Sequence, residues 1–396
     1  MMNPEKWIWL SLALPFGSLR IKRVISHFGS ADAVYASDRE TIKAACLSLF
    51  SKEIEALADK DLTEAKKIVS QCIKKNIRIT ARGDSEYPER LWHTDNPPAV
   101  LYLKGEPLCV DEKAAVAIVG TRNASSGGEA ASEKIAAEIA ACGGVVVTGL
   151  AKGIDSCAAR GALRAGGKVI GVLGCGVDIC YPRGNKRLFA EVENSGTIIS
   201  EYPPGTEPSR YNFPKRNRIM SGISLGTVVV EAPKRSGALI TASLALEQNR
   251  DVFAVPGGIF EVAAEGSNEL IRAGAIPVMS GYDVMTEYEG NFGICVGSPV
   301  KSGTVRDKKQ EAADTPADVN KSGKTDESFS FPDGYLGKFT PEEQAVLKAI
   351  GVQELRADDI SEKSGVKMQR LLSLMTLLEI RGAVKQIPGG KYRIVL

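Results

Sequence analysis

Between residues 116 and 278 the chain alternates regularly between short runs of β-branched apolar residues and longer helix-forming stretches. VAIVG (116–120) leads to GEAASEKIAAEIAACGG (128–144), an Ala/Glu/Ile helix stopped by two glycines. VVVTG (145–149), VIGVLG (169–174), TIISEY (197–202), TVVVEA (227–232), DVFAVPG (251–257) and AIPV (275–278) follow. Helices are expected between them near 154–165, 185–195, 215–224 and 239–249, and over SNELIRAG. Continuously apolar strands separated by helices mean βαβ units and a parallel sheet covered on both faces. The fold class is therefore α/β, an extended Rossmann-like, doubly wound parallel sheet, assigned to residues 77–290. The stretch 87–105 (YPERLWHTDNPPAVLYLKG) reads as an extended lead-in rather than a helix.

The flanks have a different texture. Residues 1–76 carry apolar positions at helical spacing (Ile21, Val24, Ile25, Phe28; Ile54, Leu57, Ala65, Ile68) and form a small helical domain. Two short helices there meet at Pro15-Phe16-Gly17, a turn that could either offer N–H groups to a phosphate or simply pack. Residues 291–338 are poor in apolar side chains and rich in Ser, Lys, Asp and Thr, so a flexible linker is expected. Beyond it, Thr340, Pro341 and Glu343 spell a capping box, followed by three helices and a hairpin around Gly389-Gly390. That order is a winged-helix pattern over 339–396. Its third helix is mostly apolar, with Lys367 and Arg370 near its start, so DNA contact and protein contact both stand as its role.

Three segments carry groups that seek an anion. In GTRNASSGG (120–128), Gly120, Thr121 and Arg122 fall where a strand ends and a helix begins, and Arg122 offers phosphate a planar fork. A surface ion pair is its alternative reading. TGLAKGIDSCAARGAL (148–163) places Lys152 in a glycine-flanked turn, with Asp155 read as a helix cap. RYNFPKRNRIMSG (210–222) gathers Arg210, Lys215, Arg216 and Arg218 around Phe213 and Asn217 with no acid among them. Cations around an aromatic plate are how single strands are held, phosphates on the guanidiniums and a base on the ring. A fourth turn, Ser236, Gly237 and Thr241, could hold a phosphate or serve close helix–sheet packing.

Net charge is only +2, so DNA binding has to come from such local clusters. The chain has no GxxxxGK[ST] and no GxSxG, and its two histidines are His27 and His93. Catalytic residues, metal and cofactor are accordingly all expected to be none. The eight cysteines form no CxxC pair and read as reduced core thiols. With no signal-peptide pattern and no long apolar run, a cytoplasmic chain without membrane contact is expected.

In order and spacing, AIVGTRNAS, TGLAKGIDSCAARGAL, GVLGCGVDICYP, GTIISEYPPG, FPKRNRIMSGIS, SGALITASLALEQNRDVFAVPG and GSNELIRAGA resemble the DNA-processing protein A (DprA/Smf) family. The resemblance implies a Rossmann-like core that binds single-stranded DNA, a SAM-like N-terminal helical domain, and a homodimer. It also implies transfer of incoming strands to the RecA recombinase during natural transformation. Two departures are visible: Ala159 stands where the family usually has His, and Lys152 replaces the Arg of ARGID. Lacking that His, the chain reads as a binding protein rather than an enzyme. The alternative is a phosphoribohydrolase-like enzyme, with Glu231 and the SGALIT turn over a nucleotide.

Overall fold

A computed structural model of the chain describes residues 3–45, 47–108, 110–292, 339–351, 355–366, 368–381, 383–387 and 391–394. These form two compact units, one within 3–292 and one from 339 onward. The expected linker lies almost wholly outside the described residues, as does Lys367.

Seven strands make a parallel sheet: β3 (Ala115–Val119), β4 (Val145–Thr148), β5 (Val169–Leu173), β6 (Thr197–Ser200), β7 (Gly226–Val229), β8 (Asp251–Ala254) and β9 (Ile276–Pro277). Strands β1 (Arg78–Ala81) and β2 (Val100–Gly105) extend it antiparallel, giving the order β1-β2-β6-β5-β4-β3-β7-β8-β9. Every residue of β3, β4, β5, β6 and β7 is buried, as their uninterrupted apolar runs required. From β3 the chain winds outward through β4, β5 and β6, then crosses back to β7 and winds the other way. The switch point between β3 and β7 is where open α/β sheets hold ligands.

The helices between strands lie where their periodicity put them: α8 (Ser126–Ala141), α9 (Ile154–Arg164), α10 (Lys186–Ser195), α11 (Asn212–Ile223), α12 (Gly237–Glu247) and α13 (Glu265–Arg272); a further helix not expected from the sequence, α14 (Gly281–Thr286), follows β9. Two local expectations change. Helix α11 begins two residues before Pro214 rather than after it, because a proline in the first turn gives up only an N–H that has no intrahelical partner. The lead-in contains a short helix, α7 (Glu89–Trp92), whose first N–H is taken by Asp111 at 2.7 Å.

Six helices precede the sheet: α1 (Pro4–Ala13), α2 (Arg20–Phe28), α3 (Ala31–Ala36), α4 (Arg39–Ala44), α5 (Ser51–Ala58) and α6 (Thr63–Lys74). Their buried side chains, Trp7, Ile8, Leu10, Ile21 and Ile68 among them, belong to the same hydrophobic cluster as the sheet. The boundary expected at 76/77 thus separates two textures but not two cores. Lys22 seals the contact, donating to the Thr94 carbonyl at 2.7 Å, and the Phe16 ring lies 5.2 Å from that of Tyr202.

The second unit has α15 (Pro341–Ile350), β10 (Leu355–Arg356), α16 (Ala357–Ser364), α17 (Met368–Ile380) and the hairpin β11 (Val384–Ile387)/β12 (Lys391–Ile394). The Thr340/Glu343 capping box is formed as expected. Leu371, Leu374, Met375 and Leu378 of α17 bury against Val346, Leu347 and Ile360, which is why that helix reads as apolar. Arg370 at its start is paired with Glu342 at 2.9 Å.

Candidate nucleic-acid interface

The loops after β3, β4, β5, β6 and β7 converge on one cleft of 580 Å³ at the carboxyl ends of the strands. Gly120, Thr121 and Arg122 come from the first loop, Ala151 and Asp155 from the second, and Tyr181 from the third. Arg210, Phe213, Arg216 and Asn217 enter from the start of α11, and Arg235, Ser236, Gly237 and Thr241 from the start of α12. Most of the anion-seeking residues in the sequence are thereby brought together. Lys152, Lys215 and Arg218 do not line the cleft.

At the mouth stands an aromatic and cationic stack. The rings of Phe213 and Tyr181 lie 5.5 Å apart and 24° from parallel, and the Arg122 guanidinium sits 5.5 Å from the Phe213 centroid. Tyr181 is 38% exposed, so the plate is reachable from solvent. Arg122 is exposed, and among the described residues no carboxylate lies within 4.0 Å of it, so the alternative surface ion pair is not formed in this structure. Arg210, also exposed, bonds only the Tyr211 hydroxyl among the described residues, at 2.7 Å. Both forks stay open to an anion.

The deeper cations serve the protein itself. Arg216 is buried, donating to the Gly149 carbonyl at 3.0 Å and to that of Val172, which ties together the ends of β4 and β5. Gly149 is glycine for this reason, since a Cβ there would stand 2.3 Å from the guanidinium. Burial lowers the Arg216 pKa despite the nearby Asp155 carboxylate. Asp155 accepts from the Gly149 N–H at 3.1 Å and braces the turn before α9, whose N-cap position is Gly153; it does not cap the helix as the sequence suggested. Burial raises its carboxyl above the usual range, against the opposing pull of Arg216.

Arg218 corrects the sequence reading outright. It is only 3% exposed, and its Nη2 donates to both carboxylate oxygens of Glu201 at 2.5 Å. The turn at Gly17 closes over it, so that a Cβ at Gly17 would stand 3.1 Å from its Nε. Arg218 is therefore unavailable to phosphate, and the Pro15-Phe16-Gly17 turn packs over this buried pair. Arg216 contributes positive potential to the cleft wall but presents no free fork.

The helix N-termini are similarly engaged. Ser125 caps α8, and its N–H (2.9 Å) and hydroxyl both donate to Glu231, whose carboxylate fills the place an anion would take. Ser236 caps α12 by accepting from the Ala238 N–H at 3.3 Å, and Thr241 is buried beneath it. Ala159 is fully buried in the core and is not among the residues that line the cleft. Tyr181, Arg235 and the Glu201 partner of Arg218 were missed in the sequence. Tyr181 follows strand β5 in ICYPRGN, at the carboxyl edge of the sheet, and that placement was the available signal.

A family model described as DNA recombination-mediator protein A matches residues 78–289, and one for the DprA winged helix domain matches 334–390. The chain belongs to the DNA-processing protein A (DprA/Smf) family. It is 44% identical to the DNA processing protein DprA of Streptococcus pneumoniae over 52% of this chain and 72% of that one. It is also 31% identical to Protein Smf of Synechocystis over 99% of this chain and 100% of that one. The X-ray structure of DNA processing protein A from Streptococcus pneumoniae superposes with a TM-score of 0.64 at 34% identity, covering 73% of this chain and 99% of that one. The Rossmann-like core and the C-terminal winged helix are thus family features. Among the described residues, no helix is long and apolar enough to cross a membrane, and no group of three or more His, Cys, Asp or Glu could hold a metal ion.

Proposed function

We propose that this chain binds single-stranded DNA with little sequence preference, its bases stacked at the Phe213–Tyr181 plate and its phosphates on Arg122 and Arg210. The observation that carries this reading is the open stack itself: an exposed guanidinium, a phenyl ring and a phenol ring in series at a parallel-sheet switch point. Only an unpaired base presents its face to such a plate, and the cleft offers no helix or ribbon shaped to read a major groove. Protection of incoming strands, transfer to the RecA recombinase in the cytoplasm and action as a two-fold dimer are further parts of the proposal, prompted by the family resemblance. On this proposal dimerisation and binding should both survive removal of the chain from Gly297 onward, which light scattering and gel shift of the truncated protein would test.

The protein acts here as a binder, not an enzyme. Glu231, the carboxylate a phosphoribohydrolase-like reaction would need, is buried and engaged by Ser125. A gel-shift competition tests the proposal: unlabelled single strand displaces a labelled single strand, and duplex of equal length does so poorly. Equal competition by duplex, or release of free base from nucleoside monophosphates, would overturn it.

A further inference from the structure

A second groove of 680 Å³ lies between α9 and α10, lined by Arg160, Arg164, Arg187, Leu163, Leu188 and Glu191 among others. It neighbours the first cleft at Asn185. Asn185, on the groove wall, donates through Nδ2 to the Leu150 carbonyl at 2.9 Å and lies 3.5 Å from the carbonyl of Ala151, which lines the cleft. On the chain segments that meet there, beside Ala151 and Asn185, stand Lys152, Arg183 and Lys186, all exposed. Among the described residues none of the three has a carboxylate within 4.0 Å.

Inside the groove Arg160 and Arg164 share one carboxylate, Glu133, at 3.3 and 2.8 Å, while Arg187 pairs with Glu191 at 2.8 Å. The Arg187 side chain is 94% exposed, and such surface pairs contribute little, so a phosphate can replace the carboxylate at small cost. No aromatic residue is among those lining the groove, which leaves it suited to a sugar–phosphate backbone rather than to bases.

Resting on the single-strand reading above, we propose that the strand stacked at Phe213 and Tyr181 continues over Lys152, Arg183 and Lys186 into the α9–α10 groove, held there through its phosphates alone. This gives Lys152, which stands outside the first cleft, its place on the track.

The test compares oligothymidines of about 5 and about 15 nucleotides, lengths that bracket a single cleft and an extended track. The parent and the double variant Arg164→Gln/Arg187→Gln are titrated with each across a range of salt. The short strand is expected to bind both proteins alike. The long strand should bind the double variant roughly tenfold more weakly than the parent, with a salt slope shallower by about 0.7 for each phosphate released. Equal long-strand affinity and slope for the two proteins would overturn the track while leaving the cleft reading intact. Failure of the short strand to bind the parent would instead overturn the cleft reading, and the track with it.

Discussion

The basic run from Arg210 to Arg218 divides into two regions with opposite fates. Arg210 and Lys215 stand exposed on either side of Phe213, Arg210 lining the cleft and Lys215 outside it, while Arg216 and Arg218 are buried. Arg216 clasps the ends of β4 and β5, and Arg218 satisfies Glu201 beneath the N-terminal helices. The lesson is that a cluster of cations in a sequence is not yet a phosphate site. A buried guanidinium is costly without hydrogen-bond partners, so Arg216 is held by carbonyls and Arg218, through Nη2, by a carboxylate, and of this run Arg210 is the cation left open toward the cleft.

The largest expected effect tests the inward side. Arg218→Ala leaves Glu201 charged, buried and unpaired, which should lower stability by about 3–5 kcal/mol. Chemical denaturation reads this loss, and combining Arg218→Met with Glu201→Leu should recover most of it. An Arg218→Ala protein of parental stability that no longer binds DNA would return this residue to the phosphate set and break the comparison.

On the outward side the effects move to binding. Phe213→Ala should weaken single-strand affinity by about 1–3 kcal/mol while leaving the salt dependence nearly unchanged, since stacking releases no counterions. Arg122→Ala should weaken it roughly fourfold at physiological salt and reduce the slope of log K against log salt by about 0.7. Neither substitution should shift the denaturation midpoint by more than about 0.5 kcal/mol's worth, because each side chain ends at the surface. A matching pair of slopes for the two variants would dissolve the distinction between plate and fork.

The smallest effect concerns Asp155, an acid on the cleft wall. Burial holds its carboxyl above the usual range, so it takes up a proton at a pH where surface carboxylates are still charged. Protonation removes a negative charge from the cleft wall, so affinity for oligothymidine should rise as pH falls through the range, above that of surface carboxylates, in which this carboxyl takes up its proton. Asp155→Asn should flatten that rise. Affinity that falls with pH in the parent would show that the cleft does not sense this group.

Much of this was legible in the sequence because the strands are continuous β-branched runs and the helices between them are long enough to show their period. The strands from β3 to β9 and the helices between them form within about three residues of where the pattern placed them. Arg122 and Phe213 were legible too, since a strand end followed by a helix start fixes their place at the sheet's carboxyl edge. Arg216 and Arg218 were not, because spacing alone does not reveal which face of α11 meets the core. Its partner Glu201, a lone acid at the end of the apolar strand TIISEY, was the clue that a buried cation had to come from elsewhere in the chain. The shared core of the N-terminal helices and the sheet was likewise invisible, because apolar periodicity marks a buried face without saying what covers it.

A structure of the protein crystallised with a short oligothymidine tests the central claim most directly. The account predicts a base stacked at the Phe213–Tyr181 plate, with phosphates at Arg122 and Arg210 and the Arg218–Glu201 pair undisturbed. A strand bound elsewhere with the cleft empty, or one reaching Arg218 in place of Glu201, would contradict it.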